Sequence, residues 1–214
     1  MSSDKIGVVG AGTMGNGIAQ ACAVAGIDVI MMDVGEAQLE RGLGTIGASL
    51  ERLVKKEKLS AADKDAALAR ISTTTAVAEF GACDLVIEAA TENLPLKLKI
   101  FADLDGVMKP DAILATNTSS ISVTRLAAAT RRADKVIGMH FFNPVPMMAL
   151  VELIRGLQTS DETYARIDAV AKRIGKTPVQ VKNSPGFVVN RMLCPMINEA
   201  VFTLGEGLAT AAEI

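Results

Sequence analysis

The feature that most constrains the fold is a glycine pattern near the amino terminus, in the stretch KIGVVGAGTMGNGIAQ. Gly10, Gly12 and Gly15 follow a short apolar run, residues 6–9, and precede a helical pattern. An apolar run without alternation is typical of a central strand that is covered on both faces. Three glycines with this spacing between a strand and a helix predict the opening of a βαβ unit, and with it a parallel sheet.

The same turn predicts a dinucleotide site. Gly12 would let the backbone approach a pyrophosphate, and the free N–H groups at the start of the helix would bind its charge. Asp33 follows the next apolar run, at about the distance where an acidic residue bonds the adenosine ribose. Because its carboxylate would repel a 2′-phosphate and no arginine follows until Arg41, the pattern favours NAD over NADP. The alternative is that the glycines only turn the chain.

Apolar runs and helical patterns alternate along most of the chain. This alternation predicts an α/β fold of the Rossmann type, with a doubly wound and mostly parallel sheet. Residues 36–58 and 61–70 form two helical patterns that predict an arm projecting from the sheet, and Ser60 is the expected N-cap of the second helix. The other apolar runs after the glycine turn are VIMM, CDLVIEAA, AILAT, KVIGMHFF, ALVELIR and TPVQVKN.

Near Pro185 the pattern changes to a single apolar helix, PGFVVNRMLCPMINEAVFTLGEG. We therefore expect two domains: a dinucleotide-binding domain over residues 1–184, and the beginning of an all-α domain over residues 185–214. Thr210 and Glu213 have the spacing of a capping box, which predicts another helix about to begin. This pattern favours a truncated chain that lacks the rest of the helical domain, and a natural end with a frayed tail is the alternative.

The composition argues against several classes of function. Half of the residues are hydrophobic, 21% are charged and the formal net charge is −2, so no basic face for nucleic acid is expected. Cys22, Cys83 and Cys194 form no CxxC pair, so neither a disulfide framework nor a metal site is predicted. The start, MSSDK, lacks a signal-peptide pattern, and no apolar run is long enough to cross a bilayer. We expect a cytoplasmic protein that binds neither nucleic acid nor membrane.

Polar residues follow three of the predicted strands. Glu92, residues 117–120 and residues 140–143 each come just after an apolar run. In open α/β sheets, ligands bind outside the carboxyl ends of the strands. The sequence therefore predicts one ligand site, at the edge of the sheet where the glycine turn lies.

His140 is the only histidine in the chain. A lone histidine beside two phenylalanines is ordinarily a core residue, but its place at a strand end favours a general base, which a dehydrogenase needs to take the alcohol proton. Glu152 lies in the apolar run ALVELI, where an unpaired carboxylate is costly, so we expect it to pair with His140. The alternative for Glu152 is a solvent-facing position on an edge strand.

Five ordered motifs together resemble one known family. They are GAGTMGNGIAQ, IEAATEN, NTSSI, GMHFFNPVPMMALVE and NSPGFVVNR, and the resemblance covers essentially the whole chain. The chain is similar to the short-chain L-3-hydroxyacyl-CoA dehydrogenases, and within them to the bacterial enzymes that act on 3-hydroxybutyryl-CoA. The resemblance implies NAD-dependent oxidation of an (S)-3-hydroxyacyl-CoA to the 3-oxoacyl-CoA, and the reverse reduction.

The resemblance also implies roles for individual residues. His140 would be the general base, Glu152 its partner and Ser119 the residue that bonds the 3-oxygen of the substrate. Asn190 would lie beside the acyl group. The implied contacts to NAD are Gly10, Ala11, Gly12, Thr13, Met14, Gly15, Asp33, Glu92, Lys97, Ser119 and Asn143. The implied contacts to coenzyme A are Ser49 and Lys56.

Alternatives stay open at the level of sequence. Members of the family continue through a helical domain that shapes the acyl pocket and forms a homodimer, and this chain carries only its beginning. Ser49 and Lys56 favour coenzyme A, although Lys56 could also belong to a solvated helix face. A dehydrogenase of a free hydroxy acid or sugar acid is the second interpretation, and an NAD-binding module without turnover is the third.

Overall fold

The computed structural model describes residues 5–214, which form an eight-stranded sheet with apolar clusters on both of its faces. The strands are β1 (Lys5–Val9), β2 (Asp28–Met32), β3 (Ile71–Thr74), β4 (Leu85–Glu88), β5 (Ile113–Thr116), β6 (Val136–Phe141), β7 (Leu150–Arg155) and β8 (Thr177–Lys182). The helices are α1 (Thr13–Val24), α2 (Glu36–Lys55), α3 (Ala61–Ala69), α4 (Leu94–Val107), α5 (Val123–Ala127), α6 (Asp161–Arg173) and α7 (Val189–Gly205). Two short 3₁₀ turns span Val77–Ala82 and Ala133–Lys135.

The strand order is β3-β2-β1-β4-β5-β6-β7-β8, and every neighbouring pair is parallel except β6 and β7. This topology confirms the prediction of a mostly parallel sheet of the Rossmann type. The carboxyl ends of β1, β4, β5 and β6 consequently lie along one edge, which is where such sheets bind ligands. Because β7 runs in the opposite direction, its amino-terminal half reaches the same edge.

Consecutive residues of the central strands are buried on opposite faces of the sheet. Val8 of β1 packs in one apolar cluster with Ile18 of α1, whereas Val9 packs in the other with Phe101 of α4. Both faces are therefore shielded from water, which explains why the strand sequences are uninterrupted apolar runs.

The predicted arm consists of α2 and α3. Ser60 is the N-cap of α3, as expected, and its hydroxyl accepts the N–H of Asp63. The ammonium of Lys64 lies 3.0 Å from the carboxylate of Glu51, which joins the two helices. The first helix ends three residues earlier than its pattern suggested, at Lys55, because Glu57 has a φ of 56° and a left-handed residue ends a helix.

The last long helix, α7, exposes large apolar side chains, among them Met192, Met196 and Phe202. Beyond it, the backbone N–H and the hydroxyl of Thr210 both donate to the carboxylate of Glu213. Residues 211–213 form a turn. Within residues 5–214, no helix combines the length and the hydropathy needed to cross a membrane.

Candidate active site

The loop between β1 and α1 depends on glycine at specific places. Gly10 has a φ of 101°, a conformation that favours glycine. A Cβ atom on Gly15 would lie 1.8 Å from the carbonyl oxygen of Gly10, so the first turn of α1 is in backbone contact with the loop. A Cβ atom on Gly12 would meet nothing within 4 Å. The loop therefore presents backbone at the edge of the sheet, with open space above Gly12.

The amino terminus of α1 is suited to bind phosphate. In α3, α4, α5 and α6 an N-cap side chain accepts a backbone N–H of the first turn, whereas Gly12 offers α1 no side-chain cap. N–H groups at such a terminus attract anions. Beside the loop, Asp33 accepts the N–H of Ala11 at 2.7 Å with one oxygen and the N–H of Val34 at 2.7 Å with the other. These residues fit the pyrophosphate and the ribose of NAD.

A cavity of about 610 Å³ lies between the glycine loop, α2 and the segment after β6. It brings together residues predicted to bind NAD and residues predicted to bind coenzyme A. The predicted residues that line it are Ala11, Gly12, Thr13, Asp33, Asn143, Ser49 and Lys56. Arg41, Arg52 and Lys58 also line it, although no sequence motif pointed to them as site residues. The end of the cavity against the arm is therefore basic.

A second group of predicted residues meets where β4 and β5 end. The carboxylate of Glu92 accepts the backbone N–H of Ser119 at 2.6 Å and its hydroxyl at 3.1 Å. The ammonium of Lys97 lies 3.8 Å from Glu92 and 2.6 Å from Glu88. Glu92, Lys97 and Ser119 are thus neighbours, and Lys97 is buried behind Glu92 instead of lining the cavity.

Glu88 is a buried residue of this network that sequence reasoning missed. It is the last residue of β4, and its carboxylate accepts the ammonium of Lys97, the N–H of Ala90 and the hydroxyl of Thr116. Removing one partner of such a buried pair leaves the other charge uncompensated, which is strongly destabilising. The signal was present in the sequence, because a carboxylate inside the apolar run LVIEAA has the same need of a partner as Glu152.

His140 and Glu152 form a buried pair across β6 and β7. They are opposite each other in the antiparallel register, and Nδ1 of His140 lies 2.7 Å from Oε2 of Glu152. The Glu152 side chain is 1% exposed and the His140 side chain 8%. Phe142 and Phe187 lie beside the imidazole, with ring centroids 4.6 and 5.6 Å away. The prediction of a pair is confirmed, and the edge-strand alternative for Glu152 is wrong because β7 lies between β6 and β8.

The other oxygen of Glu152 contacts the start of α7. Oε1 accepts the backbone N–H groups of Val188 and Val189, each at 3.0 Å. Asn190 follows Val189 directly, in the first turn of this helix. A further link joins the strand ends, since the side-chain oxygen of Asn117 accepts the N–H of Phe141 at 2.9 Å.

The predicted residues therefore fall into three neighbouring groups. The cavity holds the glycine loop, Asp33, Asn143 and the arm; the ends of β4 and β5 hold Glu92, Lys97 and Ser119; and β6 and β7 hold the histidine pair. Met14 differs from its loop neighbours, because its partly buried side chain packs on the core. Among residues 5–214, no cluster of histidine, cysteine and carboxylate side chains is arranged to hold a metal ion.

Comparison with protein families decides the identity of this arrangement. The family model described as the NAD binding domain of 3-hydroxyacyl-CoA dehydrogenase matches residues 5–184, and the model of the C-terminal domain of the same family matches residues 186–214. The chain belongs to the 3-hydroxyacyl-CoA dehydrogenase family. It is accordingly an oxidoreductase, its cofactor is NAD, and its reaction is the NAD-dependent oxidation of a 3-hydroxyacyl-CoA.

Individual members of the family are similar over nearly the whole chain. The 3-hydroxybutyryl-CoA dehydrogenases of Bradyrhizobium diazoefficiens and Clostridioides difficile are 49% and 48% identical to it over 210 residues each. These matches cover 98% of this chain, and 72% and 75% of the two relatives. The crystal structure of (S)-3-hydroxybutyryl-CoA dehydrogenase from Ralstonia eutropha has a TM-score of 0.96 and 62% identity, and the match covers 100% of this chain and 75% of that one.

Proposed function

We propose that this member of the family interconverts (S)-3-hydroxybutyryl-CoA and acetoacetyl-CoA, with His140 as the general base during oxidation. The observation that carries the proposal is the buried pair of His140 and Glu152, which lies at the edge of the sheet that also carries the glycine loop and Ser119. The names of the relatives support a four-carbon acyl group.

In the proposed mechanism each side chain acts at one atom. Bound at the glycine loop, NAD would supply the acceptor for the hydride of carbon 3. Since Nδ1 of His140 is hydrogen-bonded to Glu152, Nε2 is the nitrogen that takes the proton of the 3-hydroxyl. The Glu152 carboxylate stabilises the imidazolium that results. Ser119, whose backbone is fixed by Glu92, hydrogen-bonds the 3-oxygen, and the side-chain amide of Asn190 binds the thioester carbonyl.

The remaining site residues bind either NAD or the coenzyme A part of the substrate. Gly10 to Gly15, Asp33 and Asn143 bind NAD. Lys97 contributes indirectly, because its ammonium holds Glu92, which contacts NAD. Ser49 and Lys56 bind the phosphates of coenzyme A at the basic end of the cavity.

The proposal extends to assembly. Residues 1–184 and 185–214 would belong to two domains, and in the complete protein two copies would associate through the helical domain, in the cytoplasm. The apolar side chains that α7 exposes, including Met192 at 64% and Met196 at 63%, support such an association.

The decisive experiment mixes the purified chain with NADH and acetoacetyl-CoA and follows the absorbance of NADH, with acetoacetate as the control. Loss of NADH with the thioester alone is the expected result. Faster loss with acetoacetate would identify a dehydrogenase of free acids. Binding of NADH without any loss would identify a nucleotide-binding module, which contradicts the proposal for this chain.

A further inference from the structure

The two oxygens of the Glu152 carboxylate have different partners. Oε2 lies 2.7 Å from Nδ1 of His140, and Oε1 accepts two backbone N–H groups, those of Val188 and Val189. A backbone N–H can only donate a hydrogen bond, so the atom facing it must be an acceptor. Two such donors at 3.0 Å therefore fix the rotation of the carboxyl group, and they leave Oε2 as the only oxygen that faces the histidine.

The backbone that supplies these donors is itself held in place. Val188 is the N-cap of α7 and Val189 its first helical residue. The preceding residue, Phe187, is 2% exposed and has a φ of 49°, and its ring lies against His140. The start of α7 is thus anchored in the core beside the pair, although the rest of the helix is largely exposed.

We propose that the amino terminus of α7 is a positioning element for His140: it orients Glu152 so that the imidazole proton is held on Nδ1 and the lone pair on Nε2. This inference rests on the proposed function, in which Nε2 takes the substrate proton. It means that the base is assembled by two parts of the chain, the sheet and the first helix of the segment that matches the C-terminal domain. Val188 and Val189 act through Glu152 and touch no reacting atom.

Glu152→Gln is the sharpest test. If the two N–H groups of α7 hold the Oε1 position, the amide oxygen of the glutamine must lie there and its NH₂ group must face His140. The NH₂ group then donates to Nδ1, which moves the imidazole proton to Nε2 and removes the base. If the two N–H groups of α7 do not hold the Oε1 position, the glutamine amide can turn its oxygen toward His140, and the imidazole keeps its original tautomer.

The chain offers an unusually clear readout, because it contains one histidine. With ¹⁵N-labelled histidine and no histidine tag, an NMR spectrum shows a single imidazole, whose nitrogen shifts report the tautomer. We expect Nδ1 to be protonated in the parent and Nε2 in Glu152→Gln. The kcat of the variant should fall by about 10²- to 10⁴-fold, while its Kd for NADH and its KM for acetoacetyl-CoA stay within about twofold. Glu199→Gln, an exposed change on α7, is the matched control and should move neither shift.

A second variant removes one donor without touching Glu152. Replacing the amide of Val189 by an ester, through the corresponding hydroxy acid, should lower kcat by about tenfold. The same replacement at Met192 is the control, because the N–H of Met192 donates to the carbonyl oxygen of Val188 within the helix.

Protonated Nδ1 in Glu152→Gln, or an unchanged kcat in the Val189 ester, would overturn the positioning role. A parent that shows the expected tautomer but reduces no acetoacetyl-CoA would instead contradict the proposed function alone.

Discussion

His140 has neighbours that restrict what its ring can do. Phe142 and Phe187 cover it with apolar groups, and Glu152 occupies Nδ1. A proton can therefore enter or leave the buried ring only at Nε2. This is the arrangement that a base needs if it is to serve one atom of one substrate.

His140→Ala should lower kcat for acetoacetyl-CoA reduction by about 10²- to 10⁴-fold, the usual contribution of a general acid or base. NADH binding should barely change, because the histidine does not line the cavity that holds the glycine loop. Initial rates and a fluorescence titration with NADH measure the two quantities. Activity close to that of the parent would show that His140 is a core residue.

The thiol of Cys22 on α1 should make stability fall at alkaline pH. Burial raises the pKa of this thiol from 9.0 to about 12. Below pH 9 it is protonated in both the folded and the unfolded chain, but above pH 9 the unfolded chain loses the proton first. The free energy of unfolding should thus fall by about 1 kcal/mol between pH 8 and pH 10 through this group.

Urea unfolding at the two pH values, in the parent and in Cys22→Ala, measures this contribution. The variant should lose about 1 kcal/mol less than the parent. Some loss of unfolding free energy should remain in the variant because of Cys83, since burial also raises the pKa of that thiol, to about 11. The exposed Cys194→Ala change is the control, and equal losses in parent and Cys22→Ala would contradict the assignment.

Single residues were predictable where a local rule applied. Glu152 in an apolar run needs a partner, and the sole histidine was the fitting one. The donors from Val188 and Val189 had no such signal, because backbone N–H groups look alike in every sequence. Their contact with Glu152 depends on where the chain returns to the sheet 36 residues later.

At the scale of elements, the glycine loop and α1 allow two substitutions to be contrasted. Gly12→Ala should leave the free energy of unfolding within about 0.5 kcal/mol of the parent, because its φ of −66° suits alanine and the added carbon meets nothing. It should weaken NADH binding by at least about tenfold, since the methyl group occupies the approach of the pyrophosphate.

Gly15→Ala should show the opposite pattern. Its free energy of unfolding should fall by about 3 kcal/mol, because the added Cβ would collide with the carbonyl of Gly10, and NADH binding should be affected less. Gly44→Ala, in open space within α2, is the control and should gain about 1 kcal/mol of helix stability. Urea unfolding and NADH titration of the three variants measure both effects. Unchanged NADH affinity in Gly12→Ala would contradict the placement of the cofactor.

Buried elements were easier to predict from the sequence than exposed ones. The central strands were predictable because two covered faces demand uninterrupted apolar residues. The edge strand β3 was missed, since its sequence ISTT is short and polar. The helix α6 was missed although its signal was present: Ser160 caps it by accepting the N–H of Thr163, and acidic residues begin it.

At the scale of the whole molecule, alternation of strands and helices predicted the sheet and the edge that binds ligands. It could not predict that β7 runs antiparallel to β6, because the direction of a strand leaves no mark in its composition. That reversal brings Glu152 to the edge from the amino-terminal half of a strand. A rule that searches only carboxyl ends does not find such a residue.

The charges of the cavity have a consequence for how the two ligands respond to ionic strength. Arg52, Lys56 and Lys58 line the cavity on the arm, whereas Asp33 lies beside the glycine loop. Coenzyme A is a polyanion, so long-range attraction should speed its arrival, and salt should screen that attraction. Raising NaCl from about 0.05 M to about 0.5 M should lower kcat/KM for acetoacetyl-CoA by roughly tenfold and leave kcat unchanged. The kcat/KM for NADH should change far less, so ionic strength would distinguish the two substrates that share this cavity.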